Sequence, residues 1–114
     1  MELNIYQKPQ FIEELVFRIK PGQVERYIDL ETEIFSEPLS HVAGFLGGET
    51  WVSQDREGEV TSFYFWESEQ AYRSVDQAWL AGQKEKMGAA MGDDAAFVRA
   101  GHAEDRRFRV REYR

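Results

Sequence analysis

The chain has 114 residues, with 14 Lys and Arg against 21 Asp and Glu, a net charge of −7, and no cysteine. That length fits one domain, and 42% hydrophobic with 14% aromatic residues supplies a core that a disordered chain would lack. Disulfides and cysteine–zinc sites are excluded outright, an acidic body suits neither nucleic acid nor anionic membrane, and no apolar run approaches the roughly 20 residues of a membrane span.

Met1–Gln10 is polar, contains Pro9 and reads as an arm ahead of a domain at 11–114. It lacks the basic-then-apolar pattern of an export signal, so a cytoplasmic domain is expected. Phe11–Ile19 predicts strand 1, with Phe11, Leu15, Phe17 and Ile19 on one parity. Pro21-Gly22 ends it. A first helix is predicted over Gln23–Ser40, where Val24, Tyr27, Ile28, Ile34, Phe35 and Leu39 follow helical spacing. Glu31 falls inside that apolar stripe. Phe45–Ser53 and Glu59–Trp66 predict a hairpin around Asp55–Gly58. Ser68 is a good cap for a second helix, which is expected to weaken or break at Gly82. Ala95–Gly101 is ambiguous, and the alternating Arg107–Arg114 predicts strand 4. Five arginines between Arg106 and Arg114 make this end locally basic, as suits a solvated edge strand or a partner surface.

The order β-α-β-β-α-β predicts an α+β, ferredoxin-like split βαβ fold: a four-stranded antiparallel sheet with two helices on one face. Strand 3 is apolar on both parities, with Val60, Tyr64 and Trp66 on one and Phe63 and Phe65 on the other. A face left open by the helices then needs a cover, most simply a second copy of the chain. A homodimer is therefore expected.

Several segments resemble a known superfamily: Glu14-Leu15-Val16-Phe17, Glu31-Thr32-Glu33-Ile34-Phe35, and Gly44-Phe45-Leu46-Gly47 with Glu49 and Trp51. Trp66-Glu67-Ser68-Glu69-Gln70-Ala71 and Arg111-Glu112-Tyr113 complete the pattern. The chain resembles the dimeric α+β barrel superfamily, which includes antibiotic biosynthesis monooxygenases. Within it the likeness is greatest to a branch of undefined chemistry found largely in cyanobacteria. The resemblance implies homodimers whose sheets close face to face into an α+β barrel. A shared fold does not carry a shared reaction. The haem-degrading relatives match around Trp66–Tyr72, but their helical histidine would fall near Lys84 or Glu85, so that chemistry is disfavoured.

A tight hairpin pairing Gln54 with Glu59 also pairs Trp51 with Ser62, Glu49 with Tyr64 and Gly47 with Trp66. Phe45, Glu49, Trp51, Tyr64 and Trp66 then share one face, a carboxylate among aromatics, as in an apolar pocket with one polar anchor. Glu49 is the first catalytic candidate, by proton transfer. Glu31 is the second if helix and sheet enclose the same space. His41, at the end of the first helix, is the third, although a cation there is explained by the helix dipole. Trp51, Tyr64, Trp66 and Trp79 are the candidate ligand-binding residues. Period-two aromatics also describe an ordinary core, and Glu31 could instead pair with Arg18 or Lys20. His41 and His102 are too far apart in sequence for a His-x-x-x-His site, so no metal is expected. No phosphate loop or dinucleotide fingerprint occurs, and no cofactor is expected.

The function expected is that of a cofactor-independent, monooxygenase-like enzyme acting on a small apolar or aromatic molecule held between sheet and helices. The alternative is a non-catalytic homodimer that binds a small ligand or serves a structural role.

Overall fold

Four strands form the sheet in the computed structural model, which describes residues 9–102. They are β1 (Phe11–Ile19), β2 (Phe45–Val52), β3 (Glu59–Trp66) and β4 (Ala95–His102). All pair antiparallel in the order β2-β3-β1-β4. This is the ferredoxin-like α+β arrangement. Phe11 and Ile19 of β1, with Val60, Tyr64 and Trp66 of β3, are buried. Cβ atoms alternate across a strand, so these residues share the face that meets the helices.

The fourth strand of the sheet comes from the stretch that the sequence left ambiguous. It is Ala95–His102, where alanines and a glycine carry little strand preference of their own. The expected strand at Arg107–Arg114 lies outside the described residues, as does the arm at residues 1–8. Pairing with β1 defines β4: Phe97 lies opposite Phe17 and Arg99 opposite Val16, leaving Val98 as the extra residue of a bulge.

The first helical run is α1 (Val24–Glu31), a π turn at Thr32–Ser36, then α2 (Glu37–Leu39). In the π turn the Glu37 N–H donates to Thr32 O, five residues back. Pro38 has no N–H to offer Ile34 O, four residues before it. Gln83 supplies the missing donor, its Nε2 reaching Ile34 O at 2.7 Å, and is only 7% exposed.

Ser68 caps α3 (Glu69–Arg73) as expected, accepting from the Ala71 N–H at 3.0 Å. The second helix breaks early. Asp76 accepts from the N–H groups of Ala78 and Trp79, which restarts the chain as α4 (Gln77–Met91). The break expected at Gly82 does not occur, and α4 runs straight through that residue.

Gly58 closes the β2–β3 hairpin at φ +79°, and a Cβ there would overlap the Ile19 carbonyl oxygen. Gly58→Ala should therefore cost about 2–4 kcal/mol in urea unfolding. Gly22→Ala, at φ +86° with open space around it, should cost about 1 kcal/mol. Gln83→Leu should leave the Ile34 carbonyl without its donor and cost about 1–3 kcal/mol by the same measurement.

Candidate active site

Two packed clusters form on the helix face of the sheet. One joins Phe11, Leu39, Tyr64, Trp66 and Val75; the other joins Ile19, Tyr27, Val60 and Met91. Members of both line a cavity of about 770 Å³, which lies between sheet and helices. Leu15 and Phe17 of β1 form part of its floor, and Leu80, Met87 and Met91 of α4 part of its roof. Arg73, Gln77 and Lys84 line it with exposed side chains at the rim. The volume falls within the range of small-molecule sites.

Two carboxylate–phenol pairs stand at this cavity. Tyr72 Oη donates to Glu13 Oε2 at 3.0 Å, and both residues line the space. Tyr64 also lines it, and its Oη donates to Glu31 Oε1 at 2.7 Å. Ser36 Oγ donates to that same oxygen at 2.6 Å. Glu31 is 3% exposed and lies behind Tyr64, outside the lining itself. In an uninterrupted α-helix, residues five apart sit roughly 140° apart around the axis. The π turn begins after Glu31 and brings Ser36 round to its carboxylate. Glycine at position 48 lies across the sheet from Tyr64; a Cβ there would stand 3.6 Å from the Tyr64 ring and 3.7 Å from Ser36 Oγ.

Burial pushes the Tyr64 phenol well above its usual ionisation range, and the Glu31 carboxylate adds to the shift by charge and hydrogen bond. Tyr27 is raised by burial first, with the Glu31 charge adding to it. Tyr72 is pushed up to about 12 by burial, then by the charge and hydrogen bond of Glu13, with Arg73 opposing. All three phenols thus keep their protons at neutral pH. Trp66 is 2% exposed and lines the cavity, and its indole N–H finds no acceptor among the described residues.

The candidate residues divide by face. Tyr64 and Trp66 line the cavity, and Glu31 supports Tyr64. Glu49 and Trp51 do not join them, because the hairpin pairs one residue out of the expected register. Ser53 Oγ accepts from the N–H groups of Asp55 and Arg56, and the Ser53 N–H donates to Glu59 O. The turn therefore holds one more residue than expected, and Glu49 faces Phe63 while Trp51 faces Thr61. A one-residue shift moves every side chain to the other face. Trp51 is 59% exposed there, its ring 4.5 Å from that of Phe63. Phe45 returns to the helix face because Leu46 bulges, leaving Phe45 opposite Trp66 with ring centroids 5.0 Å apart. His41 is exposed, its Nε2 3.5 Å from Glu37 Oε1, away from the cavity. Trp79 is half-buried against the Val75 cluster and is not part of the lining.

Sequence reasoning missed Glu13 and Tyr72. Glu13 shares its parity with Phe11, Leu15 and Phe17, so an acid inside an apolar stripe was the available signal. Among the described residues no group of three His, Asp or Glu side chains is placed to hold a metal. None of their helices is long and apolar enough to cross a membrane.

The family profile described as antibiotic biosynthesis monooxygenase matches residues 11–81. No curated protein matches the chain. Among solved structures, SnoaB, a cofactor-independent oxygenase from Streptomyces nogalater, is similar at 14% identity and TM-score 0.58, over 93% of this chain and 97% of that one. A Deinococcus radiodurans protein bearing the same family description is similar at 9% identity and TM-score 0.62, over 91% and 95% of the two chains. A conserved protein from Methanosarcina mazei Go1 is similar at 11% identity and TM-score 0.58, over 81% and 86%. At these identities the likeness is one of fold.

The raised tyrosines predict an alkaline limit. Unfolded tyrosines ionise near 10, whereas Tyr27, Tyr64 and Tyr72 hold their protons higher when folded. Above about pH 10 the unfolded chain therefore binds fewer protons, and stability falls as pH rises. Urea midpoints should stay level to about pH 9 and drop between about pH 10 and 12. Phenolate absorbance at about pH 11 should jump on unfolding.

Proposed function

Because the chain belongs to the antibiotic biosynthesis monooxygenase family, we propose that it is a cofactor-independent oxygenase acting on a small, largely apolar aromatic molecule. The observation that carries this reading is the cavity of about 770 Å³ between sheet and helices, largely but not wholly apolar and lined by the Glu13–Tyr72 pair. With no cofactor to supply electrons, the substrate must reduce dioxygen itself, which requires an electron-rich carbon that first loses a proton. Glu13 is the cavity carboxylate placed to accept that proton, and Tyr72 orients it. The carbanion passes electrons to dioxygen, and the net change converts a CH₂ group and O₂ into C=O and H₂O.

The same proposal includes a homodimer in the cytoplasm. The sheet face away from the helices presents exposed Trp51 beside half-buried Phe63 and Phe65. A second copy on this face would bury them.

Oxygen uptake by the purified protein, with chelator present and no added flavin, tests the reading against a panel of hydroxylated aromatics bearing an acidic CH₂. One dioxygen should be consumed per ketone formed. Glu13→Gln should lower kcat by about 100-fold or more. Binding without oxygen uptake across the panel would instead mark a non-catalytic ligand-binding protein.

A further inference from the structure

This inference rests on the reading of the cavity as a ligand site and concerns which chemical group the floor selects. Tyr64 lines the cavity and Glu31 does not. The phenol oxygen lies 2.7 Å, and Ser36 Oγ 2.6 Å, from one oxygen of Glu31. A carboxylate only accepts hydrogen bonds, so both hydroxyls donate to it. A tyrosine has one such proton. With that proton held behind the wall, Tyr64 has only lone pairs left to offer the cavity. Its neighbour is similar: Glu13 lies directly across the strand pair from Tyr64, and the proton of Tyr72 is directed to Glu13.

The charged and titratable groups around this patch come from every packed element. Glu13 stands on β1, Tyr27 and Glu31 on α1, Tyr72 and Arg73 on α3, and Lys84 on α4. The cations are at the exposed rim, where Arg73 pairs with Glu69 at 2.8 Å. The interior side of the patch holds carboxylates and phenol oxygens.

We propose that Glu31 is a positioning residue that acts through Tyr64 to make the cavity floor a hydrogen-bond acceptor, selecting a ligand that donates an O–H or N–H and rejecting anions. The π turn serves this arrangement by delivering Ser36 as the second donor to the buried carboxylate. Glu31→Leu should reverse the polarity. With no acceptor left behind the wall, the Tyr64 proton is free to turn toward the cavity.

Equilibrium dialysis of three ligands of one shape, at a single neutral pH, separates the outcomes. These are 2-naphthol (a neutral donor), 2-methoxynaphthalene (no donor) and 2-naphthoate (an anion). The wild-type protein should bind the naphthol about 10-fold more tightly than the ether and the naphthoate most weakly. In Glu31→Leu the naphthoate should tighten by about 10-fold while the naphthol loses its advantage. Tyr64→Phe should erase the difference between naphthol and ether. A variant that merely loosened the fold would weaken all three ligands together and leave their order unchanged. If both variants keep the wild-type preference, the selecting acceptor lies elsewhere and this inference falls while the ligand site stands. If none of the three binds the wild-type protein, the ligand site itself falls.

Discussion

The hydrogen bonds to Glu31 hold the centre of the structure together. A carboxylate at 3% exposure loses its water, a cost of several kcal/mol unless the charge is met by good donors. Here Tyr64 of β3 and Ser36 of the π turn meet it at 2.7 and 2.6 Å, and no cation among the described residues shares the task. Charge-assisted bonds of this length are stronger than neutral ones. They set the rotation of the Tyr64 ring at the cavity wall and give the π turn a reason to persist. An unbroken α-helix would carry Ser36 away from Glu31.

The cavity follows from how the helices are held apart. Pro38 removes a donor from the first helical run, and Gln83 replaces it from α4, so a buried polar bond links the two helical segments. Polar bonds of this kind have a fixed length and direction, unlike apolar contacts, and they fix where α4 lies. The helix itself, Gln77–Met91, offers alanine and glycine where a core helix would carry large side chains. Gly88 lines the cavity, and a Cβ there would meet nothing within 4 Å. The unfilled volume between the Trp66 cluster and the Met91 cluster is what remains when a sheet of large aromatics faces such a helix.

The two polarities of the sheet divide its roles. On the helix face, aromatic rings of Phe11, Tyr72, Trp66 and Phe45 pack against one another at centroid distances of 4.6 to 6.0 Å along one end of the cavity. On the other face Trp51, Phe63 and Phe65 form a shallower aromatic strip. Glu49 belongs to that second strip. The difference between an acid in a ligand cavity and an acid beside an outer aromatic strip came from one extra residue in a turn, placed there by the Ser53 hydroxyl.

Length, charge and the absence of cysteine bounded the protein class. Strong period-two runs at Phe11–Ile19 and Glu59–Trp66 determined two strands to the residue, and Ser68 marked a helix start, because these signals act over a few neighbouring residues. The acidic surplus met at the outset argued against nucleic acid and anionic membrane as partners; Glu31 within the Val24–Leu39 stripe marked an acid whose burial the sequence left open, and packing placed it inside. Tertiary structure decided the rest. β4 is a strand because β1 offers it a ladder, since Ala95–His102 has little preference of its own. The faces of Glu49 and Trp51 were decided by turn chemistry, and the pairing of Glu31 with Tyr64 joins residues 33 apart in sequence. Such contacts depend on packing between distant elements, and no local pattern of residues encodes them.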